Sequence, residues 1–139
     1  MDERLYRSLM ATAIVLTLAW VAWSVYDGYF AQRAPGDGAY LAAEIAFEDG
    51  HYREAEERYR EALGEAPDHV HAWRGLARAL LQQGRHHEAL DAFTEAIARA
   101  PGFGVTYANR GILYDRMGRH REALADYERA LELEPAVAE

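Results

Sequence analysis

At 139 residues the chain is long enough for about one domain, and half of its residues are hydrophobic although its formal net charge is -8. The acidic balance argues against nucleic acid as the main partner, because a phosphate-binding surface needs a basic patch. The absence of cysteine excludes disulfides, thiolate catalysis and cysteine-based metal sites. All 15 basic residues are Arg, a bias that we attribute to a GC-rich genome and that favours a bacterial source.

The first predicted element is a membrane-spanning helix over residues 9–30. Its apolar core, LMATAIVLTLAWVAWSVY, carries no charge and lies between Arg7 and Asp27. A helix of this length can cross roughly 30 Å of hydrocarbon. Its C-terminal end carries aromatic residues of the kind that settle at the headgroup level, namely Trp20, Trp23, Tyr26 and Tyr29.

A cleaved signal peptide is the competing interpretation of the same segment. Its apolar core would normally be about 7 to 15 residues long and be followed by a small-x-small cleavage site. The run here is longer, and only residues 36–38, well past its end, fit such a site loosely. An uncleaved anchor is the favoured interpretation, and an intact N-terminus in the mature protein would distinguish the two.

Arginines determine the predicted orientation of this helix. Arg4 and Arg7 precede it and Arg33 follows it, which places residues 1–8 on the cytoplasmic side. Residues 31–35 form a short linker, and everything after it is expected outside the cytoplasm. For a Gram-negative bacterium this predicts a single-pass protein of the inner (plasma) membrane whose C-terminal part is periplasmic.

Beyond the linker one pattern occurs three times at a constant interval. The copies read GHYREAEERYREALGEAP, GRHHEALDAFTEAIARAP and GRHREALADYERALELEP. A fixed period in the range of about 20 to 50 residues is typical of stacked repeats rather than of one globular core. The recurring positions are Gly50, Gly84 and Gly118, then Ala55, Ala89 and Ala123, and finally Pro67, Pro101 and Pro135.

Each copy predicts the second helix of a helical hairpin, starting near Glu88 in the middle copy. Helical spacing puts Ala89, Phe93 and Ala96 on one face, where small alanines admit a neighbouring helix and the aromatic ring fills the gap. The glycine provides a permissive backbone for the turn, and the proline ends the helix. A first helix precedes each glycine, as in HAWRGLARALLQQG and TYANRGILYDRMG.

This pattern resembles the tetratricopeptide repeat family, whose unit is a 34-residue helix-turn-helix. The resemblance covers residues 36–135 as the repeats 36–69, 70–103 and 104–135, followed by a tail, 136–139. It implies an all-α fold in which an N-terminal transmembrane helix precedes a three-repeat helical-hairpin solenoid. The middle repeat carries the family's signature residues Trp73, Leu76, Gly84, Ala89, Phe93, Ala96 and Pro101.

The first repeat departs from the family pattern in its leading helix. Ala39, Ala42 and Ala43 stand there in place of large residues, so that helix is expected to be thinner. One hairpin cannot bury its apolar face alone, and stacking three hairpins makes a continuous core.

The residues do not predict an enzyme, a metal site or a cofactor. No nucleophile with a base, no glycine-rich phosphate loop and no paired buried carboxylates can be identified. His86 and His120 occupy the repeat position of Tyr52, and we expect both to pack just after the turn. His51 and His87 flank the same turn and are expected to be solvated.

The charged residues of the second helices are expected to form a solvated face. Arginines and carboxylates alternate there, and their i,i+4 pairs contribute only a few tenths of a kcal/mol each. In the first copy this face consists of Arg53, Glu54, Glu56, Glu57, Arg58, Arg60 and Glu61.

Binding of another protein is the predicted function. In the family, stacked hairpins curve into a superhelix whose first helices line the concave side. The resemblance implies a groove that suits an extended peptide or a partner helix. Its residues are Tyr40, Glu44 and Phe47 from the first repeat, His71, Arg74, Arg78 and Leu81 from the second, and Asn109, Ile112 and Arg116 from the third.

Some family members hold the C-terminal carboxylate of a peptide in a clamp of polar side chains. Arg74, Arg78 and Asn109 fall at places of this clamp, with Arg for the usual Lys and Asn, and the remaining places would need a further repeat. The resemblance therefore implies no full clamp but an anion contact by Arg74 and Arg78. The alternative is that both arginines only keep an exposed helix soluble.

The last repeat is expected to expose an apolar stripe. The family commonly closes its stack with an extra helix, whereas a short tail follows Pro135 here. A monomer tolerates such a stripe poorly, so we expect a partner or a second copy of the chain to cover it. The stripe consists of Leu124, Tyr127, Leu131 and Leu133.

Together these features predict a non-enzymatic, membrane-anchored scaffold for protein-protein interaction. The favoured role is accessory subunit or assembly factor of a membrane protein complex, similar to bacterial membrane-anchored repeat proteins that attend the secretion translocon. The alternative is a periplasmic chaperone-like module that binds client peptides in the groove, similar to repeat proteins of cytochrome c maturation. A soluble secreted repeat protein is a third alternative if the anchor is cleaved.

Overall fold

A computed structural model describes residues 2–30 and 34–134. Within these residues there are seven helices and no strand, which confirms the predicted all-α class. Arg33, Pro135 and the tail 136–139 lie outside the described residues, as does most of the linker. The helices are α1 (Glu3–Phe30), α2 (Asp37–Glu48), α3 (Tyr52–Glu65), α4 (Val70–Gln82), α5 (His86–Arg99), α6 (Gly104–Arg116) and α7 (His120–Leu133).

The helix α1 belongs to one compact unit and α2 to α7 belong to another, so each unit is described by itself. α1 has 28 residues, which corresponds to about 42 Å at 1.5 Å per residue. Of the described helices it is the one that is long and apolar enough to cross a membrane, and its side chains are exposed from Glu3 to Tyr29. The same length and composition also suit an N-terminal signal sequence.

Two hydroxyl groups in the apolar run of α1 are satisfied within the helix. Thr12 Oγ1 donates to the carbonyl of Ser8 at 2.9 Å, and Thr17 Oγ1 donates to the carbonyl of Ala13 at 2.8 Å. Neither hydroxyl needs a hydrogen-bond partner from outside the helix. This suits an apolar environment, where polar groups must be satisfied within the protein.

The other six helices form three hairpins, α2/α3, α4/α5 and α6/α7. The predicted turn glycines Gly50, Gly84 and Gly118 have φ values of 78°, 75° and 72°. A Cβ at any of them would meet open space, so the left-handed backbone alone requires glycine there. α3 ends at Glu65, just before Pro67, as predicted.

The core of the hairpins consists mainly of small residues and two aromatic rings. Ala55 and Ala89 are fully buried, and so are Tyr59 and Phe93. The closest approach is at Gly75, where a Cβ would lie 2.3 Å from Cε1 of Tyr59. The predicted face of alanines and aromatic residues is therefore confirmed. The structure shows in addition that Gly75 makes room for the ring of Tyr59.

The thin leading helix α2 joins the same core. Ala43 is fully buried and Ala39 partly, and both pack in the cluster that contains Tyr59. Phe47 packs edge-on against Tyr52, with 5.3 Å between the ring centroids. The absence of large residues early in α2 thus leaves a helix that is held by alanines and one phenylalanine.

The prediction of a solvated face is wrong for Glu56, which is 3% exposed. Its two carboxylate oxygens accept from Nη1 of Arg85 at 2.7 and 2.8 Å, and Oε2 also accepts from Nε2 of Gln83 at 2.8 Å. Arg60 forms a further ion pair with it. These donors come largely from the turn between α4 and α5, so the carboxylate is buried at the junction of the first two repeats.

The hydrogen bonds determine the ionisation of this carboxyl group. Burial alone raises the pKa of Glu56, but the bonds from Gln83 and Arg85 and the charge of Arg60 outweigh burial and hold the pKa below its ordinary value. Glu56 is therefore a buried carboxylate that remains charged.

His120 also differs from its prediction, because its side chain is exposed. Its Nδ1 lies 3.0 Å from Oδ1 of Asp115. The physical reason is that Asp115 occupies the repeat position of Phe47, so the apolar surface that receives Tyr52 in the first repeat is missing in the third. His86 is half-buried, in agreement with packing after the turn.

Candidate functional site

The concave face of the stack is formed by α2, α4 and α6. α2 contacts α4 and α4 contacts α6, whereas α3, α5 and α7 make no such contact with one another in the described part of the chain. When like helices are compared, the first helices of neighbouring hairpins therefore approach each other more closely than the second helices do, which produces a groove on the side of the first helices. All the predicted groove residues belong to these three helices.

The first part of the groove is a row of rings where the leading helices begin. The centroids of Tyr40 and His71 are 6.3 Å apart, and those of His71 and Phe103 are 5.9 Å apart. His69 lies 4.9 Å from Tyr40 and caps α4, since its Nδ1 accepts from the amide of Ala72 at 3.2 Å. Sequence reasoning missed His69 and Phe103, although both directly precede a helix and so share the end of the groove with its first residues.

Glu44, predicted as a groove residue, is engaged within the protein. The buried hydroxyl of Tyr59 donates to it. Burial and this hydrogen bond raise the pKa of Tyr59, and burial followed by the charge of Glu44 raises the pKa of Tyr40. Both phenols therefore stay protonated at neutral pH, and Tyr40 can donate a hydrogen bond to a ligand.

His71 is a neutral side chain of the groove. Burial lowers its pKa first, and the charge of Arg74 and the neighbouring His69 lower it further. The guanidinium Nη2 of Arg74 lies 3.2 Å from Nδ1 of His71, so the ring nitrogen accepts from the arginine. Arg74 therefore contributes a permanent positive charge to this end of the groove, whereas His71 contributes none at neutral pH.

The second part of the groove is a depression of about 200 Å³ toward the C-terminal ends of the same helices. It brings together six predicted residues, and the guanidinium of Arg78 lies 4.2 Å above the ring centroid of Phe47. These six are Phe47, Arg78, Leu81, Asn109, Ile112 and Arg116. Tyr40, Glu44, His71 and Arg74 lie farther along the same face. The remaining lining residues are Gln82 and Phe93, and the buried side chains of Phe93 and Leu81 form the floor.

The groove arginines differ from most other arginines of the repeats. Arg74, Arg78 and Arg116 form no ion pair with a carboxylate in the described part of the chain. Most of the other arginines of the repeats pair with a carboxylate, as where Nε and Nη2 of Arg110 donate to the buried Asp126 at 2.7 and 2.8 Å. Three guanidinium groups are thus available to an anionic ligand in a protein of net charge -8.

The last repeat has a second depression, of about 300 Å³, which we call the end face. Of the predicted stripe, Tyr127 and Leu131 line it, whereas Leu124 and Leu133 do not. Sequence reasoning placed the stripe on α7 alone and missed the contribution of α6. The end face consists of Gly104, Val105, Ala108, Tyr127, Ala130, Leu131 and Glu134.

The predicted interface aromatics lie on the C-terminal half of α1 and are exposed. Trp23 and Tyr26 approach each other, with 6.4 Å between their ring centroids. Within the described residues no group of three or more His, Asp or Glu side chains is arranged to hold a metal ion.

Three stacked helical hairpins with an open groove define a helical repeat solenoid. Models of the tetratricopeptide repeat family match residues 40–102 and 105–136. The chain belongs to the tetratricopeptide repeat family. Proteins of this family are generally non-enzymatic scaffolds that mediate protein-protein interaction or bind a peptide, and protein partners are therefore the ligands of this fold.

Solved structures of the family have the same fold. A crystal structure of MamA has a TM-score of 0.69 and 24% identity over 74% of this chain, which spans 60% of the MamA chain. The domain of OM64 from Arabidopsis has a TM-score of 0.71 and 24% identity over 73% of this chain and 84% of its own. The first repeat domain of Spaghetti (RPAP3), bound to the HSP90 peptide SRMEEVD, has a TM-score of 0.70 and 26% identity over 73% of this chain and 80% of its own. No curated protein sequence matches the chain.

Proposed function

We propose that the protein is a non-enzymatic scaffold anchored in a membrane, which binds a segment of a partner protein in its groove. In this proposal α1 is an uncleaved anchor with a cytoplasmic N-terminus, and residues 36–135 form the binding domain on the other side. The role is that of an accessory subunit or assembly factor of a membrane protein complex. The observation that carries the proposal is the set of three arginines without ion pairs, Arg74, Arg78 and Arg116, along an aromatic groove.

The chemistry of the groove favours an extended partner segment that carries carboxylates. Guanidinium groups bind carboxylates through charge-assisted hydrogen bonds, which are about twice as strong as neutral ones. Asn109 and the hydroxyl of Tyr40 add further donors along the groove, and Phe47 and Ile112 add apolar surface. The peptide bound to the Spaghetti domain, SRMEEVD, carries two Glu and one Asp, and this supports the same ligand class here.

A binding assay with the full chain in mild detergent tests this groove. The probe is fluorescently labelled SRMEEVD, and the comparison peptide has Lys in place of its three acidic residues. We expect the acidic peptide to bind, and Arg74→Ala with Arg78→Ala to weaken it by about tenfold or more. Arg121→Ala is the matched control, because Arg121 is exposed on α7, outside the groove. Equal binding of the two peptides, or equal effects of the two sets of substitutions, would contradict the proposal.

Extraction of the tagged chain from native membranes, followed by mass spectrometry, distinguishes the two roles. A stoichiometric membrane complex supports an accessory subunit or assembly factor. A set of substoichiometric clients that is lost with Arg74→Ala and Arg78→Ala would instead support the chaperone-like module.

N-terminal sequencing of the same sample tests whether α1 remains as an anchor. A mature chain that begins after residue 30 would exclude the anchor.

A further inference from the structure

The end face is an apolar surface that other parts of the same molecule cover at the equivalent positions. Tyr127, Ala130 and Leu131 all remain at least partly exposed in the described part of the chain, Leu131 at 45%. In the first repeat the residues at the same repeat positions are Tyr59, Ala62 and Leu63, and these are buried. This difference in burial must come from the helices that pack on the side chains of the first repeat and not on those of the last.

The two internal junctions show what such a surface receives. α3 packs against α4, and α5 packs against α6, so each time the leading helix of the next repeat covers the end of the preceding one. In the covering helices the fully buried residues include Ala79 of α4 and Leu113 of α6, which occupy one repeat position. The covering surface is therefore a defined face of a leading helix.

The same face of α2 has no repeat before it. Ile45 occupies the repeat position of Ala79, yet it is 57% exposed, and Leu41 on the same face is 51% exposed. An exposed apolar residue such as Ile45, at a position that is buried in both other leading helices, indicates an unfilled junction. The two ends of the stack are thus the two halves of one kind of contact.

We propose that the end face of one copy binds the leading helix α2 of a second copy, so that the repeats continue from one molecule to the next. The contact is heterologous, because α2 of one copy meets α6 and α7 of another, and it leaves the opposite end of each copy free for a further copy. None of the residues named in the groove lines the end face, and the proposal holds whatever the groove binds.

One difference between the internal and the proposed junction concerns Leu41. At the first internal junction the equivalent residue is Gly75, and a Cβ there would meet the ring of Tyr59. At the end face the ring of Tyr127 is drawn toward its own hairpin: it lies close over Gly111, and its hydroxyl donates to Oδ2 of Asp115 at 2.8 Å. The depression of about 300 Å³ that it helps to line has room for a leucine side chain.

Single cysteines test the register of this contact, since the chain has none of its own. At the first internal junction Leu63 and Leu76 line one depression, and the corresponding pair across two copies is Leu131 and Ala42. We expect Leu131→Cys and Ala42→Cys, on two differently tagged full chains in mild detergent, to form a disulfide-linked dimer when mixed. Glu48→Cys, exposed farther along α2, is the matched control and should give much less product with Leu131→Cys.

The same cross-linking experiment distinguishes the proposed contact from other ways in which the end face could be covered. A dimer of Leu131→Cys with itself would show a symmetric contact between two end faces and would overturn the proposal. Equal yields from Ala42→Cys and Glu48→Cys would show random collision and would also overturn it. So would the absence of any cross-linked product, which would leave the end face to a partner of another sequence.

Sedimentation of the full chain over a range of concentrations provides the second readout. We expect Leu131→Glu and Ile45→Glu each to raise the concentration needed for assembly by about tenfold or more, because a carboxylate would be buried without a partner. Ile112→Glu is the matched control: Ile112 is exposed and apolar but lies in the groove. Assembly that survives Ile45→Glu, or that is lost equally with Ile112→Glu, would contradict the proposed contact, and circular dichroism shows that each variant is folded.

Discussion

The helices α3 and α7 have closely similar sequences, YREAEERYREAL and HREALADYERAL, but different surroundings. Tyr59 is 0% exposed in α3, whereas the ring of Tyr127 in α7 is only half-buried. One turn earlier in each helix, burial is the opposite of what polarity would suggest. The acidic Glu56 is buried, whereas the apolar Leu124 at the same repeat position is 59% exposed. The comparison shows that the neighbouring repeat, and not the repeat pattern itself, decides which side chains are buried.

The neighbour acts in two ways at the first junction. Its leading helix α4 covers Tyr59, and the turn that follows α4 carries Gln83 and Arg85, which satisfy the carboxylate of Glu56. No helix of the described chain plays either part for α7. Substitutions at equivalent positions should therefore have unequal effects.

The largest expected difference is between the two tyrosines. Tyr59→Ala should lower the free energy of unfolding by about 3 to 5 kcal/mol, as for other large aromatic residues removed from a core. Tyr127→Ala should lower it by only about 1 kcal/mol, because its ring is half-exposed. Urea titration of the full chain in detergent, followed by circular dichroism, measures both. Equal losses would mean that the end of α7 is as well packed as the junction.

The second difference concerns Glu56 and Leu124. Glu56→Ala should cost about 2 kcal/mol or more, because it leaves Arg85 and Gln83 without their acceptor, while Leu124→Ala should stay within about 0.5 kcal/mol. If Glu56 were only a surface carboxylate, the two substitutions would have the same small effect.

The pH dependence of stability provides an independent measurement of Glu56. Since its pKa is lower in the folded protein than in the unfolded chain, it stabilises the fold above the ordinary carboxyl pKa, and this contribution disappears as the pH falls through the lowered value. Glu56→Gln should remove that part of the acid sensitivity. Urea titrations between neutral pH and about pH 3 of both proteins check this. Parallel curves for the two proteins would show that the carboxylate is not held in the way described.

A smaller effect tests the close approach at the first junction. Gly75→Ala should destabilise by about 1 to 3 kcal/mol, because the new Cβ would lie 2.3 Å from the ring of Tyr59. Gly64→Ala, in α3 with nothing within 4 Å, should instead stabilise by about 0.5 to 1 kcal/mol through its higher helix propensity. Thermal melts of both variants should therefore shift in opposite directions.

The smallest effect is expected at Thr106, at the second junction. Its side chain is buried, and its hydroxyl has no hydrogen-bond partner among the described residues. Thr106→Val should be neutral or stabilise by less than about 0.5 kcal/mol, because it replaces an unsatisfied hydroxyl with a methyl group. Thr106→Ser keeps the hydroxyl and should cost about 1 kcal/mol through the lost methyl group. A clear loss of stability in the valine variant would reveal a partner for the hydroxyl.

The sequence predicts which residues share the face of the candidate site. It predicts only in part which of them are already engaged in hydrogen bonds or ion pairs within the protein. The repeat register places Phe47, Arg78, Asn109 and Arg116 on one face, and the structure brings them to one depression. Register alone cannot show that Glu44 is engaged by Tyr59, or that the groove arginines lack the ion pairs that Arg85 forms. These facts depend on which side chains meet across a hairpin or a junction.

The sequence by itself determined the features that depend on local chemistry. Its constant repeat period defines the hairpins, and the backbone freedom of Gly50, Gly84 and Gly118 defines their turns. The apolar run of α1 is likewise a local property. Only the tertiary structure decided that Glu56 is buried, that His120 is exposed and that an end face stays open. The physical reason is that burial is set by contacts such as that of Glu56 with Arg85, 29 residues apart, whose partner belongs to the next repeat.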